Sequence, residues 1–147
     1  MADTEIFRNY NFIAELGQGQ TAYFTEVEGL SVTVRAIDYR EGGSAGGGAA
    51  PVRKLHGRVE YGDVTLRWGL TADMHIWEWL MKAVSGDIER RQVSIILLPP
   101  NGGSPEQTRW NLNNAWPTSW RGAKLDALAQ GAAIETLVLA HEGLTRA

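Results

Sequence analysis

The sequence predicts a single, mainly β domain carrying one α-helix, and three observations predict it. Residues 63–70 alternate polar and apolar side chains, the two-residue period of a half-buried strand. Residues 72–85 instead repeat apolar side chains every three or four positions, the period of a helix. Most of the remaining chain falls into short runs rich in β-branched and aromatic residues, separated by Gly, Pro and Asn.

The strand and helix of 63–85 organise the rest. Alternation puts Val64, Leu66, Trp68 and Leu70 on one face and Asp63, Thr65 and Arg67 on the other. Thr71 can cap the helix that follows, and Asp73 suits the free amides of its first turn. Ile76, Leu80 and Ala83 form the apolar stripe, widened by Trp77, Val84 and either Met81 or Trp79, and Gly86 supplies a left-handed stop. So apolar a helix among short strands should lie against a sheet, with Trp77 in the core.

Taken in order, Asn9 to Leu16 is expected as a strand ending in the turn Gly17-Gln18-Gly19-Gln20. Tyr23–Glu28 and Leu30–Tyr39 complete a three-stranded meander. Residues 41–51, Glu-Gly-Gly-Ser-Ala-Gly-Gly-Gly-Ala-Ala-Pro, have almost no side chain able to pack and read as a loop that orders on a partner. Val52–His56 returns as a strand and Gly57–Gly62 turns. Gln92–Leu98 is apolar on both faces and should be central, ended by Pro99-Pro100 and a turn at Asn101–Pro105. Thr108–Trp116 alternates Trp110, Leu112, Asn114 and Trp116 against Arg109, Asn111 and Asn113, with Pro117 expected to break it. Leu125–Leu128 begins another strand and Ala132–His141 is the last, for about eight strands in all.

Composition narrows the function. The 147 residues suffice for one domain with a real core. A net charge of −3 offers no basic stripe for nucleic acid, no apolar run spans a membrane, and no secretory signal is visible at the N-terminus. The absence of cysteine excludes disulfide scaffolds, thiolate metal sites and cysteine nucleophiles, and suits a reducing cytosol. Gly42-Gly43-Ser44-Ala45-Gly46 satisfies G-x-S-x-G but lacks the strand before and helix after that a nucleophile elbow needs. Gly17–Ala22 imitates a dinucleotide fingerprint yet leads into a strand, so a hairpin turn is the expectation. His56, His75 and His141 lie in separate elements without metal-ligand spacing. No catalytic, metal or cofactor site is expected. Six tryptophans, strands apolar on both faces and a Gly-rich insertion point to a subunit that completes its burial against copies of itself.

Several strings in order resemble the contractile phage tail tube protein family: Phe24–Leu30, Tyr61–Thr71, Ile76-Trp77-Glu78-Trp79, Arg90–Val93, Arg109–Leu112 with Ala115-Trp116-Pro117, and Ile134–Leu144. The Gly/Ala-rich stretch 42–50 departs from it. The resemblance implies a small β-barrel or two-sheet sandwich with one flanking α-helix, assembled as homo-hexameric rings that stack into a hollow tube. Its implied partners are a contractile sheath, baseplate or spike and tube-terminating proteins, and cargo in the lumen. It implies a structural subunit without cofactor or membrane insertion, assembled in the bacterial cytoplasm for a phage tail or injection particle. On this reading Glu41, Gly42, Gly43, Ser44, Gly46, Gly47, Gly48 and Pro51 form an inter-ring loop. Thr33 with Arg35, Thr65 with Arg67, and Arg109 with Asn111 and Asn113 are candidate lumen-facing residues. The alternative is a small β-barrel module that binds a ligand through exposed Trp.

Overall fold

A computed structural model describes residues 7, 10–40, 52–102 and 105–147. Among them are ten strands and one helix. The strands are β1 (Phe12–Glu15), β2 (Thr21–Ala22), β3 (Glu26–Glu28), β4 (Val32–Tyr39), β5 (Arg53–Tyr61), β6 (Val64–Gly69), β7 (Arg91–Leu97), β8 (Thr108–Arg121), β9 (Ile134–Ala140) and β10 (Gly143–Arg146), and α1 (His75–Val84) lies between β6 and β7. Eight strands form one antiparallel sheet in the order β2-β1-β7-β8-β9-β6-β3, with β10 also on β8, while β4 and β5 pair only with each other. The expected meander is therefore absent. Of the first four strands only β1 and β2 pair as consecutive neighbours, and β3 crosses to the edge of β6.

The 14-residue β8 divides the large sheet into halves, pairing with β7 and β10 through Ala115 and with β9 from Trp116 onward. Two irregularities allow this. Gln92 stands opposite both Asn113 and Asn114, and Asn114 takes φ 51°, so Ala115 fills the buried slot that simple alternation assigns to Asn114. Pro117 does not end the strand. It is buried opposite Leu139, and the register slips just after it, a place where a missing amide donor costs no ladder bond.

The inward faces of the two halves share one core. Ala14, Leu16, Val93, Ile95 and Leu112 come from or next to the first half, and Val64, Leu66, Trp68, Leu137 and Leu139 from the second. The alternation expected of 63–69 is present, with Val64, Leu66 and Trp68 buried. Leu70, one residue past the strand end, is 53% exposed. The path ends at β2 and β3 and does not close, so the described chain is an open two-layer arrangement.

Helix α1 covers this core with Ile76, Trp79, Leu80 and Ala83, the i, i+3, i+4, i+7 set. Trp79 is 1% exposed, whereas Trp77 is 37% exposed and Val84 71% exposed, which corrects the expectation that Trp77 and Val84 lie on the buried stripe. The indole settles the choice: Trp79 Nε1 donates to the Glu89 carbonyl at 2.7 Å, a partner that a residue two positions earlier cannot reach. The helix starts at His75 and not Ala72, because Asp73 Oδ1 accepts the His75 amide while Thr71 Oγ1 accepts the Asp73 amide, one turn too early to cap. At the other end Gly86 (φ 92°) and the Asp87-to-Lys82 bond close the helix as expected.

Two other expectations fail. Residues 57–62 are not a turn, since β5 runs unbroken to Tyr61, and Leu125–Leu128 is irregular with Leu125 82% and Leu128 95% exposed. Without a partner strand, the β-propensity of a four-residue run decides nothing. Ala132–His141, expected to hold the last strand, is followed by another, since residues 143–146 pair with β8.

Candidate assembly surfaces

The β4–β5 ribbon is the outstanding surface. Every residue of β4 is exposed, as is every residue of β5 except Gly57. The register shift between Val34 and Ala36 places Gly57 and Arg58 opposite Arg35, and a Cβ on Gly57 would stand 2.7 Å from the Arg35 carbonyl oxygen. Glycine there marks a bulge, the reason residues 57–62 mimic a turn in sequence.

Pairing assigns the ribbon's faces. Near its junction with the sheet, Val32, Val34, Val59 and Tyr61 share one face. At the end next to residues 41–51, Ile37, Tyr39 and Leu55 share the opposite face with Arg53, while Asp38 and Lys54 form an ion pair on the first. The junction is fixed. Gly29 (φ 96°) passes so near Asp63 that a Cβ would lie 2.2 Å from its carbonyl oxygen, and the Gly62 amide donates to the Ser31 carbonyl at 3.2 Å. His141 adds ring-nitrogen contacts to the carbonyls of Gly62 (2.9 Å) and Gly143 (3.0 Å), which accounts for it as a hydrogen-bonded structural histidine.

A second feature is a cleft of about 550 Å³ beside the start of α1, walled by Phe24, Trp68, Leu70, Met74, Ile76, Trp77 and Trp120, with Asp73 and Glu135 also lining it. Trp77 meets Trp120 edge to face at 5.0 Å, and Phe24 meets Trp68 likewise at 5.7 Å. Sequence reading missed this site, since its walls come from five separate stretches.

The seven polar residues singled out from the sequence occupy three surfaces. Thr33 and Arg35 lie on the ribbon. Thr65 and Arg67 face away from the core on β6, beside Glu26 and Glu28. Arg109, Asn111 and Asn113 alternate along β8, where Asn111 accepts from Ser94 at 2.7 Å. All three arginines are neutralised: Arg35 by Glu60, Arg67 by Glu26 and Glu28 at 2.9 Å each, and Arg109 by Glu15 and Glu106. The eight residues assigned to an inter-ring loop, from Glu41 to Pro51, lie outside the described residues, as does the G-x-S-x-G string. The Gly17–Ala22 fingerprint is the β1–β2 hairpin turn.

One partly buried polar cluster ties α1 to the sheet. The Arg91 guanidinium sits 4.9 Å over the Trp79 ring and bonds Glu89 and Gln20. Hydrogen bonds from Lys82 and then Arg91 hold the Glu89 carboxyl below the usual carboxylate range. These contacts position the helix. Among the described residues no group of His, Asp and Glu could hold a metal, and no helix is long and apolar enough to cross a membrane.

Comparison with known proteins gives a consistent result. The family model described as T4-like virus tail tube protein gp19 matches residues 8–145. A chain of the sheath-tube complex of PVC, an extracellular contractile injection system, in the extended state superposes with TM-score 0.86 at 23% identity, covering 98% of this chain and 93% of that one. A chain of the anti-feeding prophage tube terminating cap gives 0.85 at 26%, covering 100% and 94%. Hcp1 from Flavobacterium johnsoniae gives 0.58 at 13%, covering 93% and 94%. Curated protein sequences give no significant match.

Proposed function

From the premise that this chain belongs to the T4-like virus tail tube protein gp19 family, we propose that it forms hexameric rings which stack into the inner tube of a contractile injection particle. The chain is a structural tail tube subunit. The observation that carries the ring reading is the ribbon: eight residues of β4 with no cover of their own, four of them Val32, Val34, Ile37 and Tyr39. An isolated two-stranded ribbon is marginal in water, so burial against neighbouring copies supplies what the single chain lacks. The free ends of the large sheet, β2 and β3, call for the same remedy, and pairing them between subunits closes the open sheets into a barrel around a lumen.

The structures containing its fold relatives name the remaining partners: a sheath, a tube terminator, a terminating cap and a baseplate. Assembly takes place in the bacterial cytoplasm, before the sheath drives the tube outward. Nothing in the family or fold relatives favours a ligand-binding module. The segment from Glu41 to Pro51 packs between stacked rings, and the lumen wall is drawn from the three polar surfaces just described. Their paired arginines support that reading, since a cargo channel with free clustered cations would hold a polyanion by counterion release. Cryo-EM of the purified chain tests it. Stacked sixfold rings with a polar, charge-balanced wall are expected; a monomer at high concentration overturns the assembly, and a net basic or apolar wall overturns the lumen assignment. Deleting Gly43 to Gly48 is expected to leave the fold intact and shorten the tubes.

A further inference from the structure

The exposed ribbon and the aromatic cleft are complementary surfaces of one chain. The ribbon strands carry Arg35, Arg53, Lys54 and Arg58 against Asp38 and Glu60, a charge of +2 in a chain whose total is −3, which leaves −5 for everything else. The ribbon is a basic element on an acidic body. Its face at the end next to residues 41–51 combines Ile37, Tyr39 and Leu55 with Arg53, which has no ion-pair partner among the described residues. The other face at that end is neutralised by Lys54 and Asp38. The cleft offers the counterpart: an apolar floor of Trp77, Trp120 and Leu70, with the carboxylates of Asp73 and Glu135 beside it. Glu135 has no cationic partner among the described residues, and Asp73 meets only His75 at 3.5 Å.

We propose that the Ile37, Tyr39, Leu55 and Arg53 face of the ribbon seats in the Trp77–Trp120 cleft of a second copy of this chain. This deepens the tube-subunit reading and rests on it. The contact joins two different patches, so it is heterologous and propagates from copy to copy, as a ring or a stack requires. Burial of the apolar faces supplies affinity, and Arg53 against Glu135 sets register and discriminates against a ribbon seated on its neutral face.

The chain has no cysteine, which makes crosslinking clean. Assembled full-length chain carrying Leu55→Cys and Leu70→Cys, treated with a short bismaleimide, is expected to give a ladder of covalent oligomers on a denaturing gel. Each single variant should stay monomeric, as should Val34→Cys with Leu70→Cys, because Val34 lies on the other face. Arg53→Glu should lower the assembled fraction about tenfold or more, and adding Glu135→Arg should restore it. Tubes that form but give no ladder, an equal ladder from the Val34 control, or Arg53→Glu tubes of normal yield each overturn the docking while the tube reading stands. Unmodified chain that never assembles overturns both.

Discussion

Strands β4 and β6 begin with nearly the same sequence, Val32-Thr33-Val34-Arg35 and Val64-Thr65-Leu66-Arg67, and meet opposite fates. In β6 the apolar residues are buried in strict alternation; in β4 all eight residues are exposed. Each arginine finds glutamate on the neighbouring strand. The difference lies in what stands behind the strand. β6 has β3 and β9 on either side and the opposite half-sheet behind it, whereas β4 has only β5. Within one chain the body buries its apolar faces, and the ribbon does not.

Five substitutions sharpen or break that comparison, beginning with the largest effect. Trp79→Ala empties the site of the largest fully buried side chain of the body and removes a hydrogen bond, so it should cost about 3–5 kcal/mol in denaturant unfolding. Trp77→Ala, at a half-exposed edge-to-face pair, should cost about 0.5–1.5 kcal/mol. If the two losses are equal, the helix faces the core differently. Gly57→Val places a Cβ against the Arg35 carbonyl, a local strain of about 1–3 kcal/mol. Because that strain is confined to the ribbon, tube formation should fail while the monomer's melting temperature barely moves. A fall in melting temperature matching that of a body variant would show ribbon and body to be one cooperative unit.

Glu89→Gln probes the body's polar tie. A carboxyl whose folded pKa is lowered contributes stability that is present above its unfolded value and lost as pH falls through the folded one. The variant should therefore melt below the parent at neutral pH, and the gap should close on acidification below the ordinary carboxylate range. A gap that persists in acid would assign the effect to packing. The smallest effect belongs to Lys54→Ala on the ribbon, within about 1 kcal/mol for an exposed pair with Asp38, and a clear loss of monomer stability there would contradict the ribbon's independence.

Local pattern by itself determined much of this protein: a mainly β chain, the buried set Val64, Leu66 and Trp68, the Gly86 helix stop, the Gly17–Gln20 hairpin turn and the central, doubly apolar β7. Each follows from a period or a backbone preference contained within a few residues. The family resemblance was legible too, because it rests on strings in order. What only the tertiary structure decided are matters of partnership. Trp77 and Trp79 are both adjacent to the apolar stripe, and the Glu89 carbonyl chose between them. Pro117 and Gly57 look like breaks, yet a register slip and a bulge carry strands through both. Leu125–Leu128 had the composition of a strand and found no neighbour. The Trp77–Trp120 cleft has no local signal, since its walls are gathered from distant segments. A period says which side chains share a face, but burial depends on what packs against that face, and that is set by contacts far apart in sequence.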